Sequence, residues 1–294
     1  MRLYTTSQGI AKAIDDETLA LLDLPYADIG ALLTEDPELK SLASAGVIGT
    51  LPLSDAQVLA PILRPSKIIC MSANYHSHLD DEVAGVLKML NPDSGDEEIQ
   101  TLKETPTFFG VPSSAICGPT DPIRLPAIAP NQVDYEVEVA VVIGKGGKDL
   151  PIDQAWKHIA GLTLSNDVSA RDLQGRAMRT HFFELGHAKG LDTFKPLGPC
   201  LVTRDEFSLP LDLAIETKVN GEVRQSARTS GMVHSVESSI SQVSRYFTLF
   251  PGDVILTGSP SGVGFFQDKY LKSGDVVEMS AEGIGKIRNE VVHE

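Results

Sequence analysis

Residues 134–144 have the sequence DYEVEVAVVIG, in which three acidic residues alternate with apolar or aromatic ones ahead of an apolar run. The tyrosine, valines and isoleucine favour a β-strand, whose alternate side chains point to the same face. Asp134, Glu136 and Glu138 are therefore expected to lie in a row. Carboxylates at this spacing raise one another's pKa, so either solvent covers the face or a cation lies against it. Magnesium, calcium and manganese suit such oxygen ligands.

A second informative stretch, residues 164–174, has the sequence LSNDVSARDLQ. It follows a predicted helix, Gln154–Ile159, and a predicted strand, Gly161–Leu164. The strand ends with the pair Asn166 and Asp167. Strand ends are where parallel-type sheets present reactive side chains, so this pair is a candidate for a functional site.

Together these two stretches resemble the fumarylacetoacetate hydrolase superfamily. Five further segments agree with that family in order and spacing: 74–78 (NYHSH), 189–194 (KGLDTF), 219–222 (VNGE), 252–264 (GDVILTGSPSGVG) and 283–289 (GIGKIRN). The resemblance covers roughly residue 66 to the C-terminus. It implies an α+β, mostly β, fold: a mixed β-roll catalytic domain preceded by a small N-terminal α/β domain.

Composition limits the class of protein and its partners. The chain has 294 residues, 42% of them hydrophobic, and a formal net charge of -15. So acidic a protein lacks the positive face that nucleic acids or anionic membranes require. No stretch approaches the roughly 18 apolar residues of a membrane span. Acidic residues at 15–17 interrupt the region where a signal peptide would have its apolar core, so a soluble cytoplasmic protein is expected.

The three cysteines are expected to be buried free thiols. Cys70, Cys117 and Cys200 are odd in number, far apart and without metal-ligand spacing. Each lies in an apolar stretch, where a thiol behaves as a small hydrophobic group.

Residues 1–64 are predicted to form the small N-terminal domain, and residues 65–294 the catalytic domain. Arg2–Thr6 is predicted to be a strand that turns into a second one. Asp36 is predicted to cap a helix with Pro37 at its first position, and Gly46 to end it. The prolines at 61 and 65 mark the boundary.

The catalytic domain is predicted to be rich in strands, with one clear helix. The predicted strands are Ile68–Cys70, Tyr135–Ile143, Gly161–Leu164, Cys200–Thr203, Leu213–Val219, Asp253–Leu256 and Val276–Met279. The helix is Val233–Phe250, with an apolar face towards the core formed by Val236, Ile240, Val243 and Phe247.

Residues 81–105 form an insertion relative to typical members of the family. Val83, Val86, Leu87 and Leu90 have the spacing of one helical face, which 91–93 would end. Ser94 then begins a segment with the spacing of a capping box for a second helix. Two helices directly after His78 would form a lid over the site. The alternative is an acidic surface hairpin without a catalytic role.

The resemblance implies a metal centre formed by Glu136, Glu138 and Asp167, whose counterparts in the family hold magnesium or manganese. Three carboxylates leave positions on the cation free for water and substrate. Asp134 would lie on the same face, and the sequence does not determine its role.

Two basic residues are implied as partners of the substrate. Arg171 can form two hydrogen bonds with a substrate carboxylate, although an ion pair with Asp172 is an alternative. Lys189 occupies the position of the family's catalytic lysine, where it would stabilise an enolate or oxyanion. The alternative for Lys189 is an exposed lysine without a catalytic role.

His78 is implied as the base that activates water, because it ends the family's Asn-Tyr-x-x-His motif. Relatives often pair this histidine with a glutamate three residues later, and Asp81 occupies that position. Glu82 could replace Asp81 as the partner. Without the motif, His76 would be an equal candidate for the base.

Tyr75, Gln174 and Thr257 match positions that contact substrate or control access in the family. The alternative for Thr257 is a plain glycine-rich turn. Val111 replaces a lysine that many relatives have near the substrate, which favours a less charged, more apolar substrate tail. Ser72 replaces a glycine that usually opens the Asn-Tyr motif.

The resemblance implies a metal-dependent hydrolase that cleaves a carbon–carbon bond in a 1,3-dicarbonyl such as an acylpyruvate, through an enolate held by the metal and Lys189. Decarboxylation of an oxaloacetate-type acid passes through the same enolate, and the family also contains isomerases and dehydratases. A protein that binds metal and ligand without catalysis is a further alternative. The expected partners are a small 2-oxo acid or diketone and, as is usual in the family, a second copy of the chain.

Overall fold

The computed structural model describes residues 1–90, 92–93, 95–179 and 185–294. The strands within these ranges are β1 Arg2–Thr6, β2 Gly9–Ala13, β3 Thr18–Leu22, β4 Val47–Pro52, β5 Ile68–Met71, β6 Phe108–Val111, β7 Ile116–Cys117, β8 Ile123–Leu125, β9 Val133–Asp134, β10 Val137–Ile143, β11 Ile159–Asn166, β12 Ser169–Ala170, β13 Lys195–Thr203, β14 Ala214–Val219, β15 Glu222–Arg228, β16 Val254–Leu256, β17 Val276–Ala281 and β18 Gly285–His293. The α-helices are α1 Ile29–Glu35, α2 His76–His78, α3 Ala84–Leu90, α4 Gly95–Glu104, α5 Ile152–Ala155, α6 Arg171–Arg179, α7 Gly186–Lys189 and α8 Val236–Tyr246. The predicted mostly β fold with short helices is confirmed.

A large mixed sheet forms the centre of the molecule, with the strand order β4-β3-β2-β1-β13-β11-β10-β16-β5-β6 and with β7 beside β13. Its central strand β10 is buried along its whole length. Val139, Val141 and Ile143 pack into one apolar cluster. Ala140 and Val142 pack into a second cluster. The uninterrupted apolar run after Glu138 is therefore explained by a sheet that is covered on both faces.

A second sheet has the order β15-β14-β17-β18-β8, and β9 pairs with β12 in a short ribbon. Helix α8 buries Val236, Ile240 and Val243 as predicted. Phe247, predicted to share that face, instead follows the end of the helix and is 43% exposed. The chain leaves the helical conformation there, so the helical spacing no longer applies.

The N-terminal segment extends the large sheet, because β1 pairs with β13 in antiparallel register. A domain boundary at residue 64 therefore stays a prediction. Of the helix predicted between Asp36 and Gly46 only a 3₁₀ turn forms, at Lys40–Ala43, and Asp36 Oδ2 accepts hydrogen bonds from Ser41 N and Oγ at 2.6 and 2.7 Å. The α-helix α1 precedes it, and Asp28 caps α1 by accepting a hydrogen bond from Ala31 N at 2.8 Å. Asp28 also accepts one from Leu63 N at 2.7 Å, a long-range contact that fixes the start of α1.

The insertion at 81–105 contains helices α3 and α4, preceded by a π-helical turn at Leu79–Val83. The predicted helix end at Asn91 and the predicted cap at Ser94 lie outside the described residues. The insertion packs against the rest of the molecule: Ile99 is buried, and His234 Nε2 lies 2.7 Å from the carbonyl oxygen of Leu102. Its role as a lid stays a prediction.

Two composition-based expectations can be compared with the structure. All three cysteines are buried and free, as predicted. No helix in the described part of the chain has both the length and the apolar character needed to cross a membrane.

Candidate metal and acid–base site

Three carboxylates converge where β10 begins and β11 ends. The antiparallel ladder pairs Val137 with Asn166, and Asp167 N donates a hydrogen bond to the carbonyl of Glu136 at 2.9 Å. This pairing brings Asp167 beside Glu136 and Glu138, whose side chains are also buried. One oxygen from each of the three lies within 4.8 Å of the others, so the group can hold a metal ion.

The start of β10 is fixed by side chains. Strand β10 begins at Val137 and not at the predicted Tyr135, because Glu136 N donates to Asn166 Oδ1 and Val137 N donates to Gln225 Oε1, each at 3.0 Å. Gln225 is 1% exposed, and its amide nitrogen donates to Ser259 Oγ at 2.8 Å. Gln225 therefore links the carboxylate strand to the glycine-rich loop after β16.

Glu136 and Glu138 differ in their electrostatic surroundings. Burial and the nearby charges of Asp167 and Glu136 raise the pKa of Glu138 well above its usual range. Burial opposes ionisation of Glu136 as well, but the positive charges of Lys189 and Arg171 lower its pKa to about 2. Glu136 is therefore a paired anion, whereas for Glu138 the opposing effects of Lys189 and of the Gly258 N–H are smaller than those of burial and its acidic neighbours.

Asp134 and Arg171 form a fully buried pair beside the triad. The Nε of Arg171 donates to Asp134 Oδ2 at 2.8 Å, and its Nη2 lies 2.5 Å from Glu136 Oε1. Its Nη1 donates to Gln174 Oε1 at 2.9 Å. The carboxylate partners of Arg171 are thus Asp134 and Glu136, and the considered pairing with Asp172 is not the one that forms.

Two lysines contact the triad, and only one of them was predicted. Lys189 Nζ donates to Glu136 Oε2 at 2.6 Å and to Asp167 Oδ2 at 2.9 Å, and its side chain is buried. This burial is incompatible with an exposed lysine at position 189. Lys195 Nζ, which the sequence analysis missed, lies 2.6 Å from Asp167 Oδ1.

The residues present fit a divalent cation. Both oxygens of the buried Asp167 carboxylate face ammonium groups: Oδ1 lies 2.6 Å from Lys195 Nζ, and Oδ2 accepts a hydrogen bond from Lys189 Nζ at 2.9 Å. The site contains four buried carboxyl groups and three cationic side chains, which are Asp134, Glu136, Glu138 and Asp167 on one side and Arg171, Lys189 and Lys195 on the other. The oxygens of Glu136, Glu138 and Asp167 converge within 4.8 Å of one another, and such an all-oxygen donor set suits magnesium or manganese.

His78 pairs with Glu82 and not with Asp81. The Nδ1 of His78 lies 2.6 Å from Glu82 Oε2, and both side chains are largely buried. Asp81 is exposed. The predicted partner is corrected for a geometric reason: the π-helical turn at Leu79–Val83 places the residue four positions after His78 on the same side as the histidine.

The glycine-rich loop after β16 is attached to three of these carboxylates through its backbone. Gly258 N donates to Glu138 Oε2 at 2.6 Å, Gly262 N donates to Glu82 Oε1 at 2.9 Å, and Gly264 N donates to Asp134 Oδ1 at 2.7 Å. Gly258 and Gly262 have positive φ values of 89° and 100°, which glycine adopts without strain. One loop thus connects the acid–base pair to the triad.

The predicted substrate-binding residues surround this centre. Thr257 is buried, and its hydroxyl donates to the carbonyl of Val139 at 2.9 Å. Tyr75 is 1% exposed, and its hydroxyl has no hydrogen-bond partner among the described residues. Burial raises the pKa of Tyr75, and the charge of Glu138 adds to this effect. Val111 is buried in the second apolar cluster with Ile68 and Cys70, so its proposed effect on the substrate stays a prediction.

Two phenylalanines next to the centre were also missed by sequence reasoning. The ring of Phe266 meets His78 edge-on, with 6.1 Å between centroids. The guanidinium of Arg171 lies 5.9 Å from the centroid of Phe265. Both rings are partly exposed. An exposed aromatic pair directly after Gly264 was the available signal.

A family model described as fumarylacetoacetate (FAA) hydrolase C-terminal matches residues 67–292. The chain belongs to the fumarylacetoacetate hydrolase family. A mitochondrial oxaloacetate tautomerase of Bos taurus is 43% identical over 253 residues, which cover 85% of this chain and 74% of that protein.

Solved structures of the fumarylacetoacetate hydrolase family agree with the fold. A fumarylacetoacetate hydrolase from Exiguobacterium antarcticum is 33% identical with a TM-score of 0.82, and the match covers 100% of both chains. A maleylpyruvate hydrolase from Sphingobium sp. SYK-6, solved with manganese and pyruvate, is 28% identical with a TM-score of 0.77. That match covers 100% of this chain and 99% of the hydrolase.

Proposed function

We propose that this protein interconverts the keto and enol forms of a small 2-oxo acid of the oxaloacetate type, with a divalent cation held by Glu136, Glu138 and Asp167. The observation that carries the proposal is the His78–Glu82 pair, a buried imidazole held by a carboxylate at 2.6 Å next to the triad. His78 is near enough to the triad for its charge to lower the pKa of Glu136. The 43% identity to an oxaloacetate tautomerase supports the same reaction.

The pairing of His78 Nδ1 with Glu82 leaves Nε2 as the nitrogen that meets the substrate. In the proposed reaction, Nε2 removes a proton from the carbon next to the keto group, the enolate oxygen takes a proton from solvent to give the enol, and the imidazolium releases its proton to solvent. The reverse reaction returns the proton to carbon. Glu82 orients the ring and stabilises the imidazolium that forms in between.

The cation would polarise the keto oxygen and so increase the acidity of the neighbouring C–H. Lys189 keeps one ammonium N–H beyond the two that contact Glu136 and Asp167, and this third donor is available to a substrate oxygen. Arg171 holds Glu136 in place and supplies positive charge beside the substrate. The hydroxyl of Tyr75, which makes no hydrogen bond to any residue that the structure describes, is a further donor.

Hydrolysis of a carbon–carbon bond in an acylpyruvate, our expectation from the sequence, is the second candidate. The structural similarity to a maleylpyruvate hydrolase that binds manganese and pyruvate favours it. In this reaction His78 would activate a water molecule for attack on the distal carbonyl. Decarboxylation of oxaloacetate needs no such water and is the third possibility to be tested.

We further propose that the insertion at 81–105 closes over the substrate. Glu82 lies at its beginning and binds the loop at Gly262, so movement of the insertion would move the acid–base pair. A cytoplasmic location and a homodimer stay predictions, and the relatives described as mitochondrial make the location a separate question.

The test uses magnesium-loaded protein offered oxaloacetate and acetylpyruvate in parallel, with ultraviolet absorbance for enol loss and NMR for products. Faster enol–ketone exchange without new products supports the tautomerase. Formation of acetate and pyruvate from acetylpyruvate would contradict the tautomerase and establish the hydrolase. Formation of pyruvate from oxaloacetate would establish the decarboxylase instead.

The matched variants are H78Q and H76Q. His76 is two residues away and its side chain is 59% exposed. Activity should be lost in H78Q and kept in H76Q. If H78Q retained as much activity as H76Q, the proposed role of His78 would be contradicted.

A further inference from the structure

Lys195 is a buried lysine at the start of β13, directly against the triad. Its residue is 1% exposed, and its Nζ lies 2.6 Å from Asp167 Oδ1. Lysine is almost never fully buried unless it is paired, so this position needs an explanation. The pairing of β13 with β11, the strand that precedes Asp167, brings the two residues together.

Backbone contacts hold the ammonium of Lys195 in place. Its Nζ donates to the carbonyl of Phe194 at 3.0 Å and also to the carbonyl of Lys189. Phe194 and Lys189 are the two ends of the turn between α7 and β13. Val168 N donates to the same carbonyl of Phe194 at 3.1 Å, which attaches the turn to the residue after Asp167. Lys195 is therefore fixed beneath the site and does not reach towards the substrate.

The two lysines approach different oxygens of Asp167. Lys189 contacts Oδ2 and also Glu136, whereas Lys195 is next to Oδ1. A cation that binds Asp167 must therefore bind a carboxylate that already has two ammonium neighbours. Like charges a few ångströms apart in a buried site repel each other strongly, since little water is present to screen them.

We propose that Lys195 is a positioning residue and an internal counter-ion, which fixes Asp167 and the turn of Lys189 and which lowers the affinity of the triad for a divalent cation. This inference rests on the proposed metal site. Without the charge of Lys195, the four carboxyl groups of the site face two cationic side chains instead of three. The cation then meets a more negative site, and the electrostatic gain outweighs the looser orientation of Asp167.

The experiment measures Mn²⁺ binding, by the electron paramagnetic resonance signal of free Mn²⁺ and by calorimetry, for the wild type, K195M and K195Q. Both variants should bind Mn²⁺ at least tenfold more tightly than the wild type, at any level of activity. If Lys195 had only a packing role, its replacement would leave the Mn²⁺ affinity unchanged or lower it, and that result would overturn the proposal.

The matched control is K67M, which also breaks an ion pair with a buried carboxylate. Lys67 Nζ lies 2.5 Å from Asp253 Oδ2, and Asp253 is fully buried. K67M should destabilise the protein but leave the Mn²⁺ affinity within twofold of the wild type. If K67M bound Mn²⁺ as much more tightly as K195M does, the effect would come from the loss of any positive charge, and the role of Lys195 would be contradicted.

Folding of the variants is part of the test. K195M and K195Q are prepared with Mn²⁺. Removal of Mn²⁺ by a chelator should then lower the melting temperature of each variant more than it lowers the melting temperature of the wild type. Failure of both variants to fold even with Mn²⁺ would overturn the proposal, because the cation should replace the missing charge. Absence of Mn²⁺ binding by the wild type would instead contradict the proposed metal site itself.

Discussion

The carboxylate of Glu82 joins His78 to the glycine-rich loop: its Oε2 lies 2.6 Å from His78 Nδ1, and its Oε1 accepts a hydrogen bond from Gly262 N at 2.9 Å. The same loop binds Glu138 and Asp134 through Gly258 and Gly264. The orientation of the imidazole and the position of the triad therefore depend on one short segment of backbone.

Replacing Glu82 by glutamine should lower kcat for tautomerisation by about 10- to 100-fold, the range found when carboxylates that orient functional histidines at metal sites are removed. D81N is the matched control, since Asp81 is adjacent but exposed. Its kcat should stay within about twofold of the wild type. A larger loss in D81N than in E82Q would restore Asp81 as the partner of His78.

Glutamine at positions 136 and 138 should affect the stability of the metal-free protein differently. E136Q leaves Lys189 and Arg171 with one carboxylate fewer, which should cost about 3 to 5 kcal/mol in the free energy of unfolding. E138Q removes an acid whose ionisation is opposed by its neighbours, so its cost should be below about 1 kcal/mol. Urea denaturation with a chelator measures both values.

Both variants should also lose the rise in melting temperature that Mn²⁺ gives the wild type, because each removes a ligand. A full Mn²⁺ shift in E138Q would exclude Glu138 from the metal site.

The raised pKa of Glu138 predicts how stability depends on pH in the metal-free protein. Above the ordinary pKa of about 4.5 the unfolded chain loses this proton, whereas the folded protein retains it up to the higher value. The stabilising contribution is therefore complete below pH 4.5 and is lost as pH rises towards the folded-state pKa. Glu136, with a pKa of about 2, is ionised in both states throughout this window.

We expect Glu138 to make the free energy of unfolding fall as pH rises. The slope should reach about 1.4 kcal/mol per pH unit where the folded protein binds one proton more than the unfolded chain. Urea titrations from pH 5 to 8 should show this decline in the wild type with chelator and a shallower one in E138Q. Parallel curves for the two proteins would contradict the assignment to Glu138.

Tyr75 and Thr257 should differ when their hydroxyl groups are removed. Y75F deletes a buried hydroxyl that has no hydrogen-bond partner in the described part of the chain, so the free energy of unfolding should be unchanged or rise by about 1 kcal/mol. T257V deletes the hydrogen bond to Val139 and should cost about 1 kcal/mol.

Measurements of activity distinguish a substrate-binding role of the Tyr75 hydroxyl from an effect on stability alone. If the hydroxyl of Tyr75 contacts substrate, Y75F should reduce kcat/KM about tenfold or more while the protein stays stable. Full activity in Y75F would remove Tyr75 from the substrate-binding residues.

The sequence by itself determined the features that depend on short spacings. The two-residue spacing of Glu136 and Glu138 predicted that their carboxylates would lie together, and the apolar run after them predicted a strand, although that strand begins only at Val137. The apolar face of α8 was predictable for the same reason, up to the residue where the helix ends. The ordered motifs from residue 67 onwards identified the family.

Tertiary structure decided the choices between neighbours of the same chemical type. Glu82 prevails over Asp81 because a π-helical turn and Gly262 orient it towards His78. The start of α1 at Asp28 likewise depends on a distant segment, because Asp28 also binds Leu63. Lys195 reaches Asp167 only because β13 pairs with β11. Each outcome depends on a contact between distant segments or on a local irregularity of the backbone, and no sequence period encodes either one.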